Sequence, residues 1–241
     1  FHAFDLAKQL NRAGILNKLI TTYPKFKVKE WEIEADKIIS EVPLEILNRL
    51  NQRFNLNSNW FNSYLKTIHA KNSAKYLDGC DIFIGWSNSS LETLIDAKKK
   101  GITTVLERGS SHYSYQQNIL KEECEKQGIK FNSNGYSWQR ELQEYKLADY
   151  ISIPSNFVKK TFIKHGVPEE KLLINPYGVD LASFKQIPKE DNVFRIIYAG
   201  SGTLQKGYHY LLQAFYELNL PNCELWHLGA ITEEIKPFLV K

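Results

Sequence analysis

From residue 80 onward, apolar runs too short for helices alternate with stretches of helical period, and that rhythm leaves few folds open. Asp81-Ile82-Phe83-Ile84-Gly85, Thr103-Thr104-Val105-Leu106-Glu107, Tyr150-Ile151-Ser152-Ile153 and Lys171-Leu172-Leu173-Ile174 read as strands. Between them, Leu91, Leu94 and Ile95 mark one helix, 114–128 and 137–147 two more, and Ser155 caps a fourth that stops near Gly166. Such alternation builds parallel sheets with helices on both faces. Upstream, 1–13 predicts a helix ended by Gly14, and Leu16–Thr22 predicts a strand. The chain therefore opens on the helix of a strand–helix–strand unit, and the strand before it is expected ahead of residue 1. Residues 43–78 predict two helices, the second with an aromatic stripe of Trp60, Phe61 and Tyr64 that reads first as ordinary packing and only second as a membrane- or acceptor-facing surface. After a less regular link at 176–192 the rhythm restarts, with a strand at 193–199, a glycine-rich loop, a helix and a strand at 223–229.

Bulk properties narrow the class. The chain has 241 residues, 43% hydrophobic and 24% charged, ordinary for a globular protein of more than one minimal domain. Its 31 basic against 27 acidic residues leave a net charge of +4, too little to argue for nucleic acid. That excess and the aromatic stripe permit peripheral contact with an anionic membrane face. No apolar run approaches the roughly 18 residues of a membrane-spanning helix, and residues 1–5 have no signal-peptide character. Cys80, Cys124 and Cys223 are scattered and odd in number, so they read as small buried residues of a reducing, cytoplasmic compartment.

In parallel sheets, ligands gather beyond the C-terminal strand ends. The loops to inspect are 85–90, 107–113, 153–156, 175–180, 200–207 and 229–232. The most informative is Gly200-Ser201-Gly202-Thr203-Leu204-Gln205-Lys206-Gly207, between a strand and a helix. Glycines allow close backbone approach, and a helix N-terminus favours phosphate. A dinucleotide fingerprint needs a third glycine where Gln205 stands, and a P-loop needs Gly-Lys-Ser/Thr where the order is Lys206-Gly207-Tyr208. A diphosphate site using one lysine, or a plain glycine turn, remains.

The stretch from Ala148 to Gly229 resembles the family-4, group 1 glycosyltransferases. Three motifs in order carry the likeness: Ala148–Ser155, Asn175-Pro176-Tyr177-Gly178-Val179-Asp180, and Gly200 with Lys206-Gly207. Residues 1–20 resemble the family's first helix and second strand. The resemblance implies an α/β fold of the GT-B kind. Residues 1–188 would form an acceptor-side Rossmann-like domain lacking its first strand. Residues 189–241 would begin a nucleotide-sugar-binding Rossmann-like domain that continues past residue 241. It implies transfer of a sugar from a nucleotide-sugar donor, in a cleft, with retention of configuration and with neither metal nor cofactor. The acceptor would be a sugar, a lipid-linked or polysaccharide intermediate, or a small molecule. A cytoplasmic site, or the inner membrane face, suits polysaccharide assembly.

The same likeness assigns residues. Gly200, Ser201, Gly202, Lys206 and Gly207 would hold the donor diphosphate, where fixed positive charge stabilises the leaving group. Ser201 stands where the family usually has an arginine, and the family's glutamate pair would fall beyond Lys241. Glu107, Arg108 and His112, in the loop after a buried strand, are the catalytic candidates; the family's histidine maps to His112 or gives way to Glu107. Trp86, Ser110 and His2 are candidates for acceptor or sugar contact. Each has a plainer reading: Glu107 pairing Arg108 and capping a helix, Ser87 or Asn88 capping the next helix while Trp86 packs. A non-catalytic sugar- or nucleotide-binding module is the rival function, favoured by Ser201; an oxidoreductase is disfavoured by the missing glycine.

Overall fold

The computed structural model describes residues 2–54, 59–133, 135–179 and 181–239. The chain forms two compact units, one of residues 1–115 and 134–177, the other of residues 116–133 and 178–241.

The first unit begins with α1 (His2–Arg12), β1 (Leu19–Thr21), the short α2 (Lys25–Val28) and β2 (Ile38–Ser40). β1 and β2 pair in parallel, and Phe4, Ala7, Val28, Ile33 and Ile38 bury together around them. The sequence reading had no strand at Ile38–Ser40; three residues are too few for a period to show. Two helices follow, α3 (Val42–Arg53) and α4 (Asn59–Ser73).

Next come β3 (Ile82–Trp86), α5 (Leu91–Lys99), β4 (Thr103–Glu107), α6 (Tyr113–Lys126), α7 (Gly135–Leu147), β5 (Tyr150–Ile153), α8 (Asn156–Lys164) and β6 (Leu172–Ile174). The four strands form one parallel sheet in sequential order. Leu106, Ile151, Ile153 and Phe162 are almost fully buried in its core. The lysine run after Leu94 needs no ligand: Lys98 pairs with Asp149, Lys99 with Asp96 at 2.8 Å and Lys100 with Asp78 at 2.5 Å.

β1 and β3 are not paired with each other. A cavity of about 1040 Å³ is lined by every residue of both strands and by the apolar side of α1. The Asn17 amide donates to the Gly79 carbonyl at 3.0 Å and to Cys80 Sγ at 3.3 Å, tying the segments that lead into the two strands.

The second unit contains β7 (Phe194–Ala199), α9 (Tyr208–Leu218) and β8 (Cys223–Leu228), with β7 and β8 parallel. Its core gathers Leu204, Tyr208, Leu212 and Ile235 with Cys124 from the second half of α6. Sequence rhythm assigned 116–133 to the first domain; the apolar residues Leu120, Cys124, Ile129 and Phe131 instead pack with the second unit.

Gly229 marks the tightest point of that unit. Its φ is +152°, and a Cβ there would lie 2.1 Å from the Gly200 carbonyl oxygen. Gly229→Ala is expected to cost about 3 kcal/mol, from strain and overpacking together. Gly128→Ala, at φ +65° with open space around it, should cost only about 1–2 kcal/mol. Urea unfolding of both variants checks this; equal losses would remove the steric argument.

Candidate functional site

In the first unit, Trp86, Glu107 and Ser152 are register partners across β3, β4 and β5, at the C-terminal ends of the strands. Partners in register share a face of a parallel sheet. Glu107 is half-buried, and the Ser152 hydroxyl bonds to it. Burial raises its carboxyl above the usual carboxylate range, and that hydrogen bond only partly opposes it.

Tyr177, three residues past β6, comes to the same place. Burial raises its phenol, and the Glu107 charge raises it further. Its hydroxyl rests against Gly109, where a Cβ would lie 2.0 Å away, so a side chain there would displace the Tyr177 hydroxyl. His2, at the start of α1, stacks on the Tyr177 ring at 3.9 Å between centroids and 8° between planes. The sequence reading flagged the 175–180 loop but did not single out Tyr177; its position after a strand end was the available signal. Asp180, the last residue of that motif, lies outside the described residues.

Arg108 points elsewhere. Its guanidinium donates to the Ser111 carbonyl at 3.2 and 3.1 Å, reaches Ser87 Oγ at 3.5 Å, and pairs with Glu141 at 3.3 Å. It therefore positions the loops rather than pairing Glu107. Ser110 sits half-buried in the same loop.

His112 lies among aromatic side chains. The ring is 3% exposed, stacked on His165 at 4.3 Å and packed against Phe162 and Tyr145 at 5.1 Å each. Desolvation foremost, then the His165 and Arg108 charges, pushes its pKa down to about 4. The structure thus places the neutral His112 ring in the core, away from the Glu107 and Tyr177 face.

Behind this face lies a set of buried charges the sequence did not reveal. Glu144 is fully buried and accepts the N–H groups of Asn88 and of Ser90, the latter at 2.9 Å. This carboxylate, not a side chain of Ser87 or Asn88, serves the start of α5. Burial raises its pKa to about 7, against the opposing pull of the two N–H groups. Arg140 donates to both oxygens of Glu92, at 2.8 and 2.5 Å, and Tyr145 donates to Glu141 at 2.5 Å. Trp86 is half-buried above this network, and Ser90 Oγ donates to its carbonyl at 2.8 Å.

In the second unit, the glycine loop divides its labour. The Gly200 N–H bonds to Leu228 O at 2.9 Å and the Gly202 N–H to Ala230 O at 2.8 Å, extending the β7–β8 ladder. Those two donors are spent on the sheet. The Tyr198 hydroxyl donates to Ser201 O at 3.1 Å. Gly202 is fixed by its neighbours, since a Cβ would lie 2.8 Å from Tyr208 and 2.9 Å from His227. Beyond it, Thr203 Oγ1 accepts the Lys206 N–H at 3.1 Å and closes a turn over Leu204–Lys206. Gly207, at φ +66°, then starts α9. Lys206 is exposed, and its ammonium makes no ion pair among the described residues. The Gly207 and Tyr208 N–H groups are also committed, to Leu204 O at 2.9 Å and Thr203 O at 3.3 Å, so the part of the loop left open to an anion is the Lys206 ammonium.

Among the described residues no three His, Cys, Asp or Glu side chains are grouped as metal ligands, and no helix is long and apolar enough to cross a membrane. No family model and no curated protein matches the chain. Solved structures do. The crystal structure of CalG4, the calicheamicin glycosyltransferase, is similar at 14% identity and a TM-score of 0.50, over 92% of this chain and 65% of that one. A UDP-N-acetylglucosamine 2-epimerase is similar at 10% identity and a TM-score of 0.46, over 98% and 67%. The chain thus spans somewhat less than two thirds of the CalG4 chain. Parallel sheets flanked by helices, repeated in a second unit, together with the CalG4 likeness, make this an α/β chain of the GT-B fold.

Proposed function

We propose that the protein transfers a sugar from a nucleoside-diphosphate sugar to an acceptor hydroxyl, as a retaining, metal-independent enzyme of the family-4, group 1 kind. The observation that carries this reading is the raised, half-buried Glu107 carboxyl at the end of a parallel strand, beside Tyr177. In the reaction, the bond from the anomeric carbon to the diphosphate oxygen breaks. The acceptor oxygen bonds to that carbon and gives up its proton. Glu107 takes this proton, which its raised pKa favours. Lys206, just ahead of α9, offsets the charge gathering on the leaving diphosphate. Tyr177 and His2 offer a stacked aromatic surface for the acceptor.

Thermal denaturation with UDP, GDP, ADP and NAD tests the reading. A ligand that binds only the native state must raise the midpoint. A shift with one nucleoside diphosphate and none with NAD supports transfer; a shift with NAD alone overturns it. Lys206→Ala is expected to weaken diphosphate binding by about 1.5–3 kcal/mol, the range of a charge-assisted contact. Calorimetric titration that finds the variant unchanged removes Lys206 from the donor site.

A second reading has its own support. Ser201 replaces the second phosphate clamp, and the Gly200 and Gly202 N–H groups are committed to the ladder. A sugar- or nucleotide-binding module without catalysis would carry such a loop. It would show the midpoint shift without turnover.

A further inference from the structure

The cavity between β1 and β3 is apolar along the strands and polar at one end. Thr22, which follows β1, and Trp86, which closes β3, line that end together with Asn48 of α3 and Asn62 and Lys66 of α4. The Thr22 hydroxyl donates to Glu45 at 3.1 Å and so fixes the start of α3 there. This is the C-terminal side of a parallel sheet, where ligands gather. α3 turns Leu44, the half-buried Asn48 and the buried Asn51 inward, and leaves Ile46, Leu47 and Leu50 exposed. A helix serving only to close an apolar core would turn its apolar stripe inward. The amides on the inward side suit a polar occupant instead.

At this end the donors are free and the acceptors are spent. Asn62 Oδ1 accepts from the Asn51 amide at 2.9 Å, which leaves the Asn62 N–H groups to donate. Asn48 and Lys66 make no side-chain hydrogen bond or ion pair among the described residues. The nearby carboxylates have partners: Glu45 in Arg49 at 2.7 Å, Glu41 in His69 at 2.5 Å, and Glu141 in Arg108 at 3.3 Å and Tyr145 at 2.5 Å. Lys66 is half-buried, and burial pulls its ammonium below the usual lysine range, with the Glu141 charge opposing this only in part. A cation taken half out of water without a partner is costly, and an anion in the cavity would offset that cost. We propose that the acceptor carries an anionic group, a phosphate or a carboxylate, which Lys66 holds at this end of the cavity while the Asn48 and Asn62 amides donate to its oxygens. Trp86 lines the same cavity and is the register partner of Glu107, which places the bound acceptor beside the strand that carries the base. The acceptor role rests on the sugar-transfer reading; the anion site rests on the cavity and its free donors.

Titration of the full chain with glucose, glucose 6-phosphate and glucuronate, which differ only at C6, decides it by ligand-detected NMR. The expected result is binding of one acid sugar about tenfold or more tighter than glucose, the range of a charge-assisted contact. The tighter of the two identifies the acid as phosphate or carboxylate. Lys66→Met is expected to abolish that preference and to keep or raise the melting midpoint, because it removes a half-buried charge without a partner. Asn48→Asp adds a carboxylate to the same end and should lower binding of the acid sugar about tenfold more than that of glucose. Equal affinity for all three sugars, binding of none, or a preference that Lys66→Met retains overturns the proposal. An acid preference lost in Lys66→Met, in a chain that binds no nucleoside diphosphate, supports the anion site and removes its acceptor role. Nucleoside-diphosphate binding without an acid preference leaves sugar transfer standing and removes the site.

Discussion

Glu107→Gln is expected to lower turnover by about a hundredfold or more, the loss typical of removing a general base, while nucleoside-diphosphate affinity stays as it is. Glutamine keeps the volume and can still accept the Ser152 hydroxyl that bonds Glu107, so the end of β4 keeps its shape. What disappears is the ability to take a proton. The wild-type rate should also carry an acidic limb. Glu107 must be ionised to act, and burial raises its pKa, so activity falls at a higher pH than an ordinary carboxylate would give. The variant's residual rate should lack that limb. Steady-state kinetics across pH would check both points. A variant whose kcat and pH profile match the wild type would return Glu107 to a packing role and leave Tyr177 as the group to test.

The second large effect concerns stability. Glu144 has a folded pKa of about 7 against an ordinary 4.5. Between those values the folded chain holds a proton that the unfolded chain has released, so stability falls as pH rises through the window. The limit is about 1.4 kcal/mol per pH unit, or about 3 kcal/mol in all. His112 works with the opposite sign. Its folded pKa is about 4 against 6.5, so the unfolded chain binds the extra proton there and stability rises with pH. Over the shared range the two slopes largely cancel. Glu144→Gln removes one of them. The free-energy difference between variant and wild type is therefore expected to grow in the variant's favour from about pH 4.5 to 7, by about 3 kcal/mol, and to be flat outside. Urea unfolding at a series of pH values measures it, and parallel curves would show that Glu144 does not titrate in this way.

These two residues show what could be read from the sequence. Glu107 was legible because it ends a continuous apolar run, and in a parallel sheet that end faces the ligand side. Glu144 was not. α7 buries Ser137, Arg140, Glu141 and Glu144 along with Tyr145, a stripe that in sequence has the polarity of a solvent-facing one. The N–H groups of Asn88 and Ser90, the Glu92 carboxylate and the Arg108 guanidinium, all distant in the chain, make that burial tolerable. The orientation of His112 was not legible for a related reason: a histidine in a loop after a strand can turn toward a ligand or toward the helices behind. Here Thr161 Oγ1 accepts its backbone N–H at 3.0 Å, and the ring packs among Tyr145, Phe162 and His165. The strands β3, β4 and β5 were readable because each is a short, nearly continuous apolar run set between stretches of helical period. α3 has the helical period the sequence shows, but periodicity does not say which side of the stripe faces water.

The open lane between β1 and β3 has a consequence for cooperativity. β4 and β5 are held by neighbours on both sides, whereas β1–β2 shares no backbone ladder with the larger sheet. The small pair is coupled to the rest of its unit by side chains, among them the two Asn17 contacts, Thr22 to Glu45 at 3.1 Å and Glu41 with His69 at 2.5 Å. Such an element opens at lower free energy than the sheet beside it. His2 and its stack on Tyr177 belong to the helix that packs on this pair. One rim of the candidate site is therefore carried on the looser foldon, while Glu107 stands on the firmer one.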